Sequence, residues 1–191
     1  MSDYRRYFVA GATYFFTIVT HHRRPVFTTD TNIALLRHAI ATVKREQPFE
    51  INAAVVLQDH LHFLWTLPPG DDGFSKRIGR IKVEFTKAFR SASPSTQSET
   101  SSRQRRCERD VWQRRFWEHL IRDDEDFDRH FDYIHCNPVK HGLGTCPHAW
   151  VATSFHHWTD RGVYDRVWGC NCGGHRSGAL DFSDIAKTVG E

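Results

Sequence analysis

Apolar residues recur along this chain with two different periods, and the switches between them predict an ordered series of strands and helices. The β-branched and aromatic run "ATYFFTIVT" (12–20) predicts a first strand. Over 30–46, Ile33, Leu36, Ile40 and Val43 recur at spacings of three and four, which predicts a helix starting at Asp30 or Thr31. "FEINAAVVL" (49–57) predicts a second strand, turned at Gln58-Asp59 into a third over 60–67, and Pro68-Pro69-Gly70 ends that strand. Phe74, Ile78, Ile81, Phe85 and Phe89 then share one face of a helix over 74–90. Residues 91–106, "SASPSTQSETSSRQRR", have no apolar period and read as a flexible Ser-rich loop. A fourth strand is expected over 116–121, and a helix over 123–138 with acids in its first turn and Pro138 closing it.

The first six elements make a β-α-β-β-α-β unit, so the fold class is α+β: a ferredoxin-like antiparallel sheet. The last helix is additional. One domain is expected over 1–145, followed by an irregular tail over 146–191. A chain of 191 residues supports one domain with a proper core. No run of about 18 apolar residues exists, which excludes a membrane-spanning helix. The N-terminus has no apolar segment of a secretory signal. Five irregularly spaced cysteines imply a reduced, cytoplasmic protein. A net charge of +3 is mild, so the placement of the charges matters more than their sum.

The third strand raises the chemical question. In "QDHLHFLW" (58–65), His60 and His62 are two apart, so both leave the same face of the sheet, while Leu61, Phe63, Trp65 and Leu67 leave the other. Two imidazoles on one face, beside Asp59, suggest a metal. On the 123–138 helix, Phe127, Phe131 and Ile134 form a core stripe, and Asp126, His130, Tyr133 and Asn137 share another face. Read alone, Tyr133 fits a packed aromatic better than a reactive group, and Asn137 fits a helix end. Lys76, Arg77, Arg80, Lys82, Lys87 and Arg90 stand against Glu84 alone on the 74–90 helix, which fits either a phosphate-tracking face or a solvated one. Cys170 and Cys172 are closer together than the cysteines of a zinc knuckle, so no zinc is expected in the tail.

Taken together, "HLH" (60–62) and "DYIHCNPVKHGL" (132–143), with "YRRYFVAGATYFFTIVT", "RPVF", "VWQRRFWEHLIRD" and the late Trp150 to His156 segment, resemble the HUH single-tyrosine, IS200-like transposases. The resemblance is greatest to the branch associated with repetitive extragenic palindromes (REPs), and it covers roughly residues 4–165. It implies that His60, His62 and Asn137 hold a divalent metal, Mg²⁺ or Mn²⁺, and that Tyr133 is the nucleophile. It further implies a single-stranded DNA endonuclease and strand transferase that forms a 5′-phosphotyrosine on hairpin-forming palindromic repeats. Arg5, Arg6, Lys76, Arg77, Arg80, Lys82, Lys87 and Lys140 are the expected DNA-binding residues, and a monomer is favoured. The alternative is a protein that binds palindromic repeats without cutting them. Gln58 departs from the proline frequent in the family before the acid, and the 91–106 loop is longer than expected; both bear on substrate fit rather than on the reacting atoms.

Overall fold

The computed structural model describes residues 7–92, 111–172, 175–176 and 180–189. Four strands, β1 (Thr13–Val19), β2 (Glu50–Val56), β3 (His60–Thr66) and β4 (Trp117–Leu120), form one sheet in the order β2-β3-β1-β4. Every neighbouring pair is antiparallel. With helices α1 (Asp30–Glu46) and α2 (Phe74–Ala92) as crossovers, this is the ferredoxin-like arrangement the periodicity predicts. Thr29 caps α1, its side chain accepting the Asn32 amide at 3.2 Å. Most of the Ser-rich loop and the "YRRY" arginines Arg5 and Arg6 lie outside the described residues.

Strand alternation splits the core into two. Tyr14, Phe16 and Ile18 of β1 stand opposite Trp65, Phe63 and Leu61 of β3 and pack beneath α1 and α2. Phe15, Thr17 and Val19 stand opposite Leu64, His62 and His60 and point to the other face. There Phe15 and Leu64 pack against Phe131, Tyr133 and Ile134 of α3 (Asp124–Lys140). The third helix therefore covers the histidine face, and α2 covers the opposite one.

Two boundaries differ from expectation. Asp123 caps α3 from outside, accepting the Asp126 amide at 2.8 Å, so the acids begin one residue later. Pro138 does not end the helix, which runs on to Lys140. Its ring removes one intrahelical donor, but the His141 amide still reaches the Asn137 carbonyl at 3.0 Å, and the surrounding residues are buried.

The irregular tail folds back onto the same face. Val56 donates to the Ala152 carbonyl and Ser154 to the Ala54 carbonyl, pairing residues 152–154 with the outer edge of β2. Beyond them come the short helices α4 (Phe155–Thr159) and α5 (Ser183–Thr188) and a two-residue pairing of β5 (Asn171–Cys172) with β6 (His175–Arg176). Phe155, Tyr164, Ile185 and Val189 complete the second core. Among the described residues, no helix is long and apolar enough to cross a membrane.

A buried polar chain ties the tail to α3. His135 has no solvent exposure and lies 2.7 Å from Ser154 Oγ and 3.2 Å from Tyr164 Oη, while Tyr164 donates to Asp132 at 2.5 Å. Burial drives the His135 imidazole down to about 3, so the folded protein holds it neutral. The unfolded chain, with an ordinary histidine near 6.5, binds the proton that the folded one refuses. Stability is therefore complete above about pH 6.5 and falls as pH drops toward 3. We expect the urea midpoint to decline between pH 7 and pH 5, and His135→Gln to flatten that decline.

Candidate active site

The β1–β3 register places Thr17 opposite His62, and its hydroxyl lies 3.0 Å from His62 Nδ1. His60 Nδ1 lies 2.5 Å from Asp59 Oδ1. Although burial favours the neutral acid, hydrogen bonds from His60 and from Arg23 hold the Asp59 carboxyl below its ordinary value. A carboxylate accepting at Nδ1 selects the tautomer whose lone pair is on Nε2, the usual outer-shell arrangement for a ligating histidine. The two rings meet edge-on at 5.0 Å, both fully or almost fully buried.

Helix α3 brings the second half. Tyr133 packs edge-on against His62 at 5.5 Å and against Phe15 at 5.9 Å, with no solvent exposure. Lys140 donates to the Tyr133 hydroxyl at 2.9 Å, two helical turns on. Asn137, between them on the same side of the helix, is also fully buried. His141, at the C-cap, sets its ring 5.2 Å from that of His60. Lys140 is expected among the DNA-binding residues, and His141 follows it in the same motif block. The geometry puts Lys140 on the phenol and His141 beside a histidine of the strand.

Asp126 and His130, on the same helix face, belong to a different cluster. Asp126 accepts from His119 Nε2 at 2.8 Å and from Arg122 at 3.0 and 3.1 Å, and His130 stacks on His119 at 4.6 Å. Against burial, the Arg122 and His119 hydrogen bonds hold the Asp126 carboxyl down to about 2. The paired carboxylate fixes the start of α3 and is occupied by Arg122.

Phe182, preceding α5, meets Tyr133 edge-on at 5.7 Å, and Ile185 and Val189 lie in the same cluster. The pattern of the tail gave no sign of this contact, because one phenylalanine in an irregular segment has no period to read.

The basic residues of α2 stand on the other face of the sheet. Arg77 departs from the expected DNA-contacting role: only 3% of it is exposed, and its guanidinium binds Asp71 and the carbonyls of Gln47 and Pro48. One i+3 step along the helical stripe from Phe74 turned it inward. Arg80 pairs with Glu46 and Glu84, Lys82 caps the Gln113 carbonyl, and Lys87 approaches Glu84. Lys76 is exposed. Lys82, Lys87 and Arg90 flank a groove floored by Trp112.

Comparison with known proteins gives this arrangement its class. The family described as "Transposase IS200 like" matches residues 8–137, more than half of the chain, and the chain belongs to that family. It is 46% identical to the REP-associated tyrosine transposase of Escherichia coli (strain K12), across 88% of this chain and 91% of that one. It is 43% identical to a "Putative REP-associated tyrosine transposase" of Haemophilus influenzae, across 90% of this chain and 95% of that one. A solved structure of a REP-associated tyrosine transposase bound to a REP hairpin superposes with a TM-score of 0.72 at 42% identity, over 94% of this chain and 96% of that chain. Within the family, the chain is a tyrosine transposase of the REP-associated branch.

The Arg77 assignment has a direct check. The guanidinium holds the Asp71 carboxyl down to about 2 and bonds two backbone carbonyls, so Arg77→Met removes the donor from three part-buried acceptors. We expect a loss of about 1 to 2 kcal/mol in urea unfolding, and Lys76→Met to leave stability unchanged.

Proposed function

We propose that this transposase cuts and rejoins single-stranded DNA beside hairpins of palindromic repeats, with Tyr133 as the nucleophile. The observation that carries the reading is the Lys140-bound hydroxyl of Tyr133 beside two same-face histidines. That the REP-associated relative of known structure binds a REP hairpin supports the choice of substrate.

His60, His62 and the amide oxygen of Asn137 would hold a divalent cation. The residues fit one: each imidazole engages a neighbour through Nδ1, and the nitrogen and oxygen donors suit Mn²⁺ or Mg²⁺. Such a cation supplies Lewis-acid neutralisation of the phosphodiester charge. The chain's own residues do the rest. The Tyr133 hydroxyl gives its proton to water and its oxygen attacks phosphorus, the bond to the 3′ oxygen breaks, and that oxygen takes a proton from water to become a 3′-OH. One phosphodiester is exchanged for a 5′-phosphotyrosine, so a 3′-OH can reverse the step without ATP. The Lys140 ammonium, donating to the phenol oxygen, stabilises negative charge there as the proton leaves. Asp59 and Thr17 keep the two imidazoles oriented. Lys76, Lys82 and Lys87 are proposed phosphate contacts along α2, on the side of the sheet away from the tyrosine.

The test is a denaturing gel with labelled hairpin oligonucleotides, Mn²⁺ and a cleavage product short enough to dissociate. Wild type should give a protease-sensitive protein–DNA adduct on single strands, and Tyr133→Phe none. Cleavage that persists in Tyr133→Phe assigns attack to water and removes the tyrosine from the reaction. Hairpin binding without any adduct in wild type would leave a recognition protein that does not cut. Lys140→Met should slow adduct formation about 100-fold while leaving hairpin affinity within a few-fold.

A further inference from the structure

The tail brings together a second set of metal-binding groups, remote in chemistry from the first. Cys146 and His148 come from the 3₁₀ turn after α3, Cys170 and Cys172 from the segment entering β5. The ligand atoms of Cys146, His148 and Cys170 all lie within 4.8 Å of one another. Cys170 Sγ is 3.6 Å from His148 Nδ1, and Cys146 Sγ is 3.0 Å from Cys172 Sγ. Cys172 is not one of that group of three, but its thiol adjoins the group through Cys146 and is the nearest fourth ligand.

We propose that these four residues form a structural zinc site of the Cys₃His type. Zinc bonds of about 2.3 Å to sulfur and about 2.0 Å to nitrogen give a tetrahedron with edges of roughly 3.6 Å between sulfur and nitrogen and roughly 3.8 Å between sulfurs. The Cys170–His148 separation already has that length. Cys172 lies on exposed β5, where a change of rotamer opens its distance from Cys146. Three thiolates and an imidazole are soft donors that select zinc over Mg²⁺ or Mn²⁺, and four protein ligands close the site to substrate. Binding replaces three thiol protons with one Zn²⁺, leaving a site of net charge −1.

The backbone is built for this convergence. Asn171 donates to the Thr145 carbonyl at 2.7 Å, joining the two segments directly beside the thiols. Gly169 has φ +67°, and a Cβ there would stand 3.0 Å from the Pro147 ring, so the approach requires glycine. A disulfide between Cys146 and Cys172 is the competing use of the same atoms. It would need a bond of about 2.05 Å and would leave Cys170 and His148 gathered for no purpose. Sequence spacing hid the site because Cys170 and Cys172 were weighed as a pair on their own, while their partners lie 22 to 26 residues earlier.

The expected result is that the full-length chain, purified under reducing conditions and passed over a chelating resin, retains about one zinc per chain by elemental analysis. Co²⁺ exchanged into it should show intense thiolate charge-transfer bands and tetrahedral ligand-field bands. His148→Ala and Cys170→Ser should lose most of the zinc, and His60→Ala should keep it. Should a variant fail to fold, the wild-type cobalt spectrum and the protection of its thiols from alkylation by added Zn²⁺ decide the matter. A wild-type protein without zinc that neither takes up Co²⁺ nor gains thiol protection overturns the proposal. So does a mass about 2 Da below that of the fully reduced chain, which would assign the cysteines to a disulfide.

Discussion

The antiparallel register of β1 on β3 is the constraint from which the rest of the structure follows. It pairs Thr17 with His62 and Val19 with His60 on one face, and Phe16 with Phe63 on the other. Side chains alternate with a period of two, so a slip of one residue would turn β1 inside out relative to its partner. Thr17 would leave His62, and Phe16 would be driven toward α3. The aromatic packing beneath α1 and α2 opposes that slip, because Tyr14, Phe16 and Trp65 fit only one side. Burial on one face thus fixes the polar geometry on the other.

Helix α3 repeats the logic in helical form. Its apolar stripe, Phe131 and Ile134, is seated against β2 and the tail, and this rotation turns Tyr133 toward His62. Asp126 fixes one end of the helix through Arg122 and His119. His135, Tyr164, Asp132 and Ser154 fix its outer side to the returning chain. The tyrosine is thus set by contacts on three sides, most of them made by residues with no part in the chemistry.

The long periodic segments were legible in the sequence because burial imposes their periods directly: the strand at 13–19, the helices at 30–46 and 74–92, and the strand with both histidines. The same-face placement of His60 and His62 followed from strand geometry alone. Tyr133 and Asn137 were legible only as neighbours on a helix; what marked them out was the similarity of the surrounding blocks to a known family. Arg77 was misjudged because charge was weighed without the helical phase that puts it one step from the Phe74 stripe. His135 and Phe182 had no readable signal. Their roles come from contacts with Ser154, Tyr164 and Tyr133, and such long-range pairings leave no periodic trace.

The complete burial of Tyr133 has a thermodynamic consequence. Under the proposed function a DNA strand that meets the phenol must displace part of its surroundings, and among these Phe182 belongs to neither the sheet nor α3. The free energy of that displacement is subtracted from whatever the DNA gains by binding, and it grows as the logarithm of the open fraction falls. On that reading every strand bears that same factor, so the ones that reach the tyrosine at a given concentration are those whose own contacts outweigh it.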